Sequence, residues 1–405
     1  MNTELMLHLK KFSAEDFGKM RTQFSQMKEV IDGLNEIAQI SMSRNQLQYL
    51  LEQYYDLGEL VEAYEIFGGY VNRSFGIIVE KNGVRSDYFV RKYKRGITDR
   101  DISLEHKLVT FAKQNGMDTA AGVIPALDGS TFIRMDEEKE GKIVNRAFAI
   151  YDFLEGEDKY TWIDTNLLPE EDASFAKLLA QFHNSARNFD PGDLVKEEPK
   201  IMDFLLELPD KFTKYVNQDI QGDIVHDLWK SSLDDIKEMC KVSFENLNKK
   251  ELLDDMPYCY CHCDIHPGNV KWIDNQAVGM FDFDWSKLDL RLFDIAFALV
   301  YTCSSWEPQT DGRLWFERCV YFLSGYNEFL KGKNGLAPFT EAEKKAFPDM
   351  MVAATIYLLN WNSTYYEAID ECNTFEYFFY LVHTLRVMHY IDQHRDDLSE
   401  LMKLL

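Results

Sequence analysis

No stretch of this 405-residue chain approaches the roughly 18 consecutive apolar residues that a membrane-spanning helix needs. The apolar run Leu292–Tyr301 is short and carries Asp294. The start, MNTELMLHLKKFSAEDF, has no basic patch followed by an apolar stretch and a small-residue cleavage site. The sequence therefore predicts a cytoplasmic protein with no membrane partner. Basic residues are few: 44 Lys and Arg stand against 68 Asp and Glu, a formal charge of -24. Such a surface repels a phosphate backbone, which excludes nucleic acid as a partner class. Internal repeats and low-complexity tracts are absent. With 46% hydrophobic residues, the chain is not disordered by composition and is long enough for two or three domains. A disulfide framework is not indicated either, because the seven cysteines are an odd number. Cys259, Cys261 and Cys263 alternate around His262. Thiolates beside a histidine suit zinc, but alternate positions project to one face of an extended strand. Zinc knuckles use a C-x-x-C turn instead, so buried small hydrophobes are the favoured reading.

Apolar spacing predicts helices over Phe12–Leu34 and Arg44–Tyr55, and so a helical extension over residues 1–60. The pattern then changes. A strand-like run at Ala63–Phe67 leads into Gly68-Gly69-Tyr70-Val71-Asn72-Arg73-Ser74, and a second strand follows at Phe75–Glu80. Lys81-Asn82-Gly83 carries the Asn-Gly hairpin signal. A third strand at Asp87–Tyr93, a helix at Asp101–Asn115 ended by Gly116, and two strands flanking the charged turn Asp136–Gly141 complete this part. Beyond Glu155-Gly156 the spacing is helical at Glu170–Ala186, Ile201–Tyr215 and Ile224–Leu247. This predicts an α+β molecule of two lobes. A small five-stranded sheet lobe spans 61–155 and a large, mainly helical lobe spans 156–405, with a ligand cleft between them.

The chemistry concentrates in Tyr260-Cys261-His262-Cys263-Asp264-Ile265-His266-Pro267-Gly268-Asn269. A strand, the turn Asp274-Asn275-Gln276 and a second strand follow, and then Asp282-Phe283-Asp284. A tight hairpin of this kind brings Asp282 back beside Asn269. A carboxylate plus a carboxamide suits a hard divalent cation beside a nucleotide's phosphates. Asp264, five residues before Asn269, is placed to orient a substrate hydroxyl and take its proton.

His262-x-Asp264-x-x-x-x-Asn269 followed by Asp282-Phe283 resembles the catalytic and metal-binding loops of the kinase superfamily. The Asp-Ile-His-Pro-Gly-Asn form resembles the aminoglycoside phosphotransferase and choline kinase-like branch, with His266 where protein kinases usually carry lysine. Arg291-Leu292-Phe293-Asp294-Ile295-Ala296 and Ala180-Gln181-Phe182-His183 resemble two helices of that branch, over a likeness spanning about 63–385. The resemblance implies a bilobal protein-kinase-like fold that uses ATP and Mg2+. Asp264 and His266 would be catalytic, and Asn269 and Asp282 would hold the metal. Gly69, Asn72 and Ser74 would lie at the phosphates, Glu105 would pair with the nucleotide cation, and Tyr151 and Phe153 would form the adenine hinge. Period-two alternation puts Phe89, Arg91 and Tyr93 on one face and Lys92 on the other. An inward aromatic face favours Arg91 as that cation, with Lys92 the alternative.

Within the branch the chain most resembles type II homoserine kinases, through Asn72-Arg73-Ser74-Phe75 and Phe322-Leu323-Ser324-Gly325-Tyr326. It departs from them at Leu358-Leu359-Asn360-Trp361-Asn362-Ser363, where an arginine would be expected. That departure predicts a small hydroxyl compound, neutral or cationic, as acceptor, with Trp361, Tyr365, Tyr366 and Glu367 as lining residues. The competing expectation is a catalytically silent kinase fold used for binding or assembly, as some spore-coat proteins are. A protein kinase is disfavoured, because Asp282 and Arg291 are too close together for a long activation segment.

Overall fold

The computed structural model describes residues 42–66, 72–94, 96–139, 142–220, 222–368 and 374–405. The expected helix at Phe12–Leu34, Gly69, and the side chains of Tyr365, Tyr366 and Glu367 lie outside the described residues. The described part opens with α1 (Arg44–Tyr54). Ser43 and Gln46 cap it reciprocally, each side chain accepting from the other's backbone N–H, at 3.2 and 2.9 Å.

Strands β1 (Glu59–Ile66), β2 (Arg73–Lys81) and β3 (Val84–Lys92) form an antiparallel meander. At the β2–β3 turn Asn82 and Gly83 both take positive φ, 55° and 78°, as a type I′ hairpin requires. Helix α2 (Asp99–Gln114) follows, then β4 (Val123–Ile124), β5 (Ile133–Lys139) and β6 (Lys142–Asp152). The sheet order is β1-β2-β3-β6-β4, with β5 also paired to β6. It has six strands, one more than the sequence pattern predicts. The extra one, β4, has two residues, too few to show alternation. Leu47, Leu50 and Leu51 of α1 pack with Phe75, Ile77, Val90 and Phe148 on one side of the sheet. Tyr93, Ala149 and Tyr151 pack with Ile102 of α2 on the other.

The large lobe holds α3 (Pro169–Ala186), α4 (Ile201–Val216) and α5 (Ile224–Leu247), then β7 (Tyr258–Cys261), β8 (Val270–Ile273), β9 (Gln276–Met280) and β10 (Lys287–Leu290). Helices α6 (Arg291–Cys303), α7 (Phe316–Leu330), α8 (Glu341–Ala368), α9 (Thr374–Gln393) and α10 (Arg395–Met402) complete it. Cys259, Cys261 and Cys263 are all buried in its core. A buried ion pair closes the lobe: Arg291, at the start of α6, reaches Glu343 of α8 at 2.8 Å and Ala337 O at 2.7 Å. No helix among the described residues is long and apolar enough to cross a membrane.

Helices α3 and α7 cross at a glycine. A Cβ on Gly325 would stand 2.6 Å from Ala173 O and 2.8 Å from Ala173 Cα. Alanine is the better helix former by about 1 kcal/mol, yet here it would push two backbones apart. We predict that Gly325→Ala destabilises the protein by about 1–3 kcal/mol. A lower urea midpoint checks this, and an unchanged or higher one contradicts it.

Candidate functional site

The chain runs β7, loop, β8, turn, β9, loop, β10. Strand β7 pairs with β10 and β8 with β9, so the two loops, 262–269 and 281–286, must lie side by side. Two hydrogen bonds join them: His262 Nε2 to Phe281 O at 3.0 Å, and Phe281 N to Asn269 O at 3.2 Å. The Asn269 carboxamide donates to Asp264 O at 2.7 Å, which closes the first loop on itself.

Asp294, in the first turn of α6, anchors this construction. It is fully buried and accepts from His262 N (2.7 Å), Cys263 N (2.8 Å) and His183 Nε2 on α3 (2.8 Å). Burial pushes the Asp294 carboxyl up, but the hydrogen bond and charge of His183, with His262, outweigh it and hold the group below its ordinary value. With the His262 and Cys263 N–H groups so held, Cys263 can keep a φ of +63°, a left-handed conformation that costs a non-glycine residue energy. That turn aims Asp264 out of the core. Asp282 is likewise left-handed, at φ +69°. Non-glycine residues with positive φ cluster at functional sites, and the two flank this pair of loops.

Three carboxylates crowd here. Burial, then the charges of Asp282 and Asp284, push the Asp264 carboxyl well above its ordinary value. Burial and Asp282 push Asp284 up to about 6, against Arg91, Lys196 and Lys94. One oxygen of Asp284 is buried and takes no hydrogen bond. Asp282 Oδ1 lies 3.0 Å from an Arg91 nitrogen but off the line of a hydrogen bond. Crowded carboxylates with unused oxygens next to the Asn269 carboxamide make a hard, oxygen-only donor set, which fits a divalent cation such as Mg2+ or Ca2+. His266 has a different character. Burial and the neighbouring His262 push it down to about 3, so it is neutral. Its Nδ1 accepts from Gly268 N at 3.1 Å, shaping the turn that carries Asn269.

From the sheet lobe Arg91 spans the cleft. One guanidinium nitrogen meets Glu105 of α2 at 3.3 Å and another meets Asp282 at 3.0 Å, while its Nε is buried without a partner. Lys92 points to the other face of β3, where it pairs with Glu137 at 2.6 Å. Ser74 sits opposite Arg91 in the β2–β3 register. Asn72 is a lobe-to-lobe link: it donates to Asp284 Oδ2 and accepts from Lys94 N, both at 3.0 Å.

Tyr151 departs from its expected place. Its backbone lies inside the sheet, in register with Phe89 and Val123, and Asp152 N is already bonded to Gly122 O at 2.8 Å. Phe153, just past the end of β6, is exposed. The Tyr151 hydroxyl instead joins a network that pattern reading missed. Tyr151 and Tyr93 each donate to Glu105 at 3.1 Å, and His106 Nε2 reaches both hydroxyls at 2.8 and 2.9 Å. The alternation Phe89, Arg91, Tyr93 was the available signal for Tyr93. Lys196 was also missed, because the segment 187–200 has no periodicity. It donates to Asp284 O and stands 5.3 Å from the centre of the Trp285 ring, with Lys94 4.9 Å from the same ring.

The anchoring role of Asp294 has a direct test. Asp294→Asn turns one acceptor oxygen into a donor facing other donors and leaves His183 buried without its carboxylate. We predict a loss of about 3–5 kcal/mol in urea unfolding. A loss below about 1 kcal/mol, the range of an exposed pair, would show that Asp294 does not hold the loop.

A profile described as "Phosphotransferase enzyme family" matches residues 63–328, more than half of the chain and including both loops of the site. The homoserine kinase of Ralstonia nicotianae is 26% identical over 324 residues, covering 75% of this chain and 80% of that one. Among solved structures, a spectinomycin phosphotransferase in complex with ADP and spectinomycin superposes with a TM-score of 0.58 and 16% identity, over 87% of this chain and 100% of that chain. Choline kinase from Cryptosporidium parvum gives 0.56 and 18%, over 84% and 93%. The two lobes, the paired loops and these likenesses agree: the chain belongs to the phosphotransferase enzyme family, as a small-molecule kinase on a bilobal, protein-kinase-like fold.

Proposed function

We propose that the protein transfers the γ-phosphoryl group of ATP to a hydroxyl of a small molecule, with Asp264 as the base. The observation that carries this reading is the Arg91 guanidinium, held between Glu105 of one lobe and Asp282 of the other with its Nε unpaired and buried. A buried cation with a spare donor suits phosphate oxygens. The acceptor oxygen attacks the γ-phosphorus, the bond to the β-phosphate bridging oxygen breaks, ADP leaves, and the hydroxyl proton passes to Asp264. Mg2+, held by Asp282 and Asn269, would neutralise phosphate charge. Its positive charge would also oppose the Asp282 and Asp284 charges that, after burial, raise Asp264, favouring the carboxylate form a base needs. His266, being neutral, supplies no charge and serves through the turn it shapes. Phe153 and the residues after it supply backbone groups for adenine, and Asn72 and Ser74 the floor of the phosphate-covering loop.

On the acceptor side, a run of aromatic rings leads away from Asp264. His266 packs on Tyr301 at 5.3 Å, the Tyr301 and Tyr380 hydroxyls meet at 2.7 Å, and Tyr380 packs on Trp162 at 5.5 Å. The Tyr380 hydroxyl is pushed up by burial, with the Asp264 charge adding to it. The expectation of a neutral or cationic acceptor rested on the lack of an arginine at 358–363. Helix α8 has none there, but Trp361 meets Trp285 at 4.3 Å, and Lys94 and Lys196 stand at that ring. The positive charges nearest that part of α8 therefore come from the end of β3 and from the segment between α3 and α4.

ADP release from Mg-ATP across a panel of small alcohols tests the reading. No turnover with any of them, together with retained nucleotide binding, would instead indicate a silent binding protein. We predict that Asp264→Asn keeps ADP affinity but lowers kcat by roughly two orders of magnitude or more; near-normal kcat removes Asp264 from the mechanism. Arg91→Ala should weaken ADP by about tenfold or more, the loss of a charge-assisted hydrogen bond. Lys92→Ala, on the far face, should change it by no more than about twofold. Calorimetric titration of both variants decides, and the reverse order would make Lys92 the nucleotide cation.

A further inference from the structure

We propose that Thr131, His106, Tyr93 and Tyr151 form a one-way hydrogen-bond chain that, through Glu105, positions the Arg91 guanidinium for the phosphates of the nucleotide. The inference rests on the kinase reading above and deepens it at the nucleotide's cation. The chain is drawn from four places in the sheet lobe. Tyr93 follows β3, Glu105 and His106 are neighbours on α2, Thr131 precedes β5, and Tyr151 lies on β6. Glu105, His106, Tyr93 and Tyr151 are all buried, and no step of the phosphoryl transfer uses their protons.

The direction of the chain follows from counting protons. Glu105 meets Arg91 at 3.3 Å, and a carboxylate paired with a guanidinium only accepts. Burial pushes the Glu105 carboxyl up, with Asp284 adding to it, and Arg91 and both tyrosine hydroxyls act against that rise. Tyr93 and Tyr151 therefore turn their protons to Glu105, each at 3.1 Å. Their hydroxyl oxygens, 2.5 Å apart, are left as acceptors for His106 Nε2, at 2.9 and 2.8 Å. The imidazole is neutral, since burial and then Arg91 push it down to about 3, and so it carries one proton. That proton belongs on Nε2. Nδ1 is then the acceptor, and the Thr131 hydroxyl donates to it at 2.8 Å. Every donor in the chain points toward Glu105.

Arg91 is enclosed by the same groups. Its Cζ lies 5.9 Å from the centre of the Tyr93 ring, 5.7 Å from that of Tyr151 and 6.0 Å from that of Phe89, within reach of cation–π attraction. Two of those three rings are the ones whose hydroxyls fasten Glu105. The wall around the guanidinium and its buried partner are therefore one assembly. The competing pull comes from the other lobe, where Asp282 stands 3.0 Å from a second guanidinium nitrogen. With Glu105 unfastened, Asp282 would be the stronger pull, and Arg91 would leave the place that the phosphates need.

Tyr93→Phe and Tyr151→Phe, made together in the full chain, keep both rings and remove both hydroxyls. In calorimetric titration with ADP we expect Kd to rise about tenfold or more, the worth of a lost hydrogen bond to a charged group. Added to Arg91→Ala, the same two changes should move Kd by no more than about twofold, because residues that act through one group are not additive. An equal rise in both backgrounds would mean that the hydroxyls serve the fold and not Arg91, and would overturn the inference. If the paired variant is too unstable to titrate, Thr131 decides. Thr131→Val should raise Kd about threefold, and Thr131→Ser, which keeps the donor, should not; equal values for the two would overturn the inference. The direction of the chain has its own readout, independent of nucleotide. Nitrogen NMR shifts of the His106 ring should place its proton on Nε2, unchanged between about pH 6 and about pH 8, and a proton on Nδ1 would reverse the chain and overturn the proposal. No ADP binding by the unaltered protein would overturn the kinase reading and this inference with it. ADP binding that the paired variant leaves unchanged overturns this inference alone.

Discussion

The site depends on one buried carboxylate. A loop that must present Asp264 to a cleft has to leave β7 in an unfavourable conformation, and Cys263 adopts it at φ +63°. Left-handed backbone of this kind persists only where the surroundings over-determine it. Asp294 does so by taking the His262 and Cys263 N–H groups that lead into the strained turn and tying them to His183 on α3. Its own position follows from α6, whose first residue, Arg291, is locked to Glu343 on α8. Three helices therefore converge on one loop. An anchor of this type is costly to break, because each partner left behind is a buried polar group without a bond.

The balance of charge across the cleft follows from that placement. Burial and then the Asp282 charge raise both Asp264 and Asp284, and Arg91, Lys94 and Lys196 act against that rise at Asp284 from two lobes. The cations are not distributed evenly. Arg91 is engaged with two carboxylates, while the lysines gather on Trp285. The unbonded oxygens of Asp282 and Asp284 lie on the acidic side, and the two ammonium groups stand at the Trp285 ring on the other.

How much of this was legible in the sequence differs by element. The long helices of the large lobe were, since amphipathic spacing over 16 or more residues leaves little choice: α5 runs over Ile224–Leu247 as the pattern predicts. The Asn82-Gly83 turn and the two loops were also readable, because turn chemistry and the spacing of Asp264, Asn269 and Asp282 are local. Strand alternation was sufficient to separate Arg91 from Lys92. The two-residue strand β4 carries no period. Tyr151 was misplaced because an apolar-aromatic strand end looks the same whether its backbone or its hydroxyl is in use. Lys196 was invisible, since a lysine in an irregular segment becomes part of a site only through a tertiary contact with residues about 90 positions away.

The buried network around Glu105 explains how Arg91 can be both fixed and available. Glu105 is almost fully covered, with 3% of its side chain exposed, while Asp282 has 32%. Tyr93 and Tyr151 each bond one of the Glu105 oxygens, and His106, pushed down to about 3 by burial and Arg91, stays neutral beside them. The carboxylate is thus held by hydroxyl groups that do not compete for its charge, and it keeps Arg91 when the other partner changes. If Asp282 and Asn269 held a divalent cation, as proposed above, Arg91 would keep Glu105 as its buried partner and would remain in place.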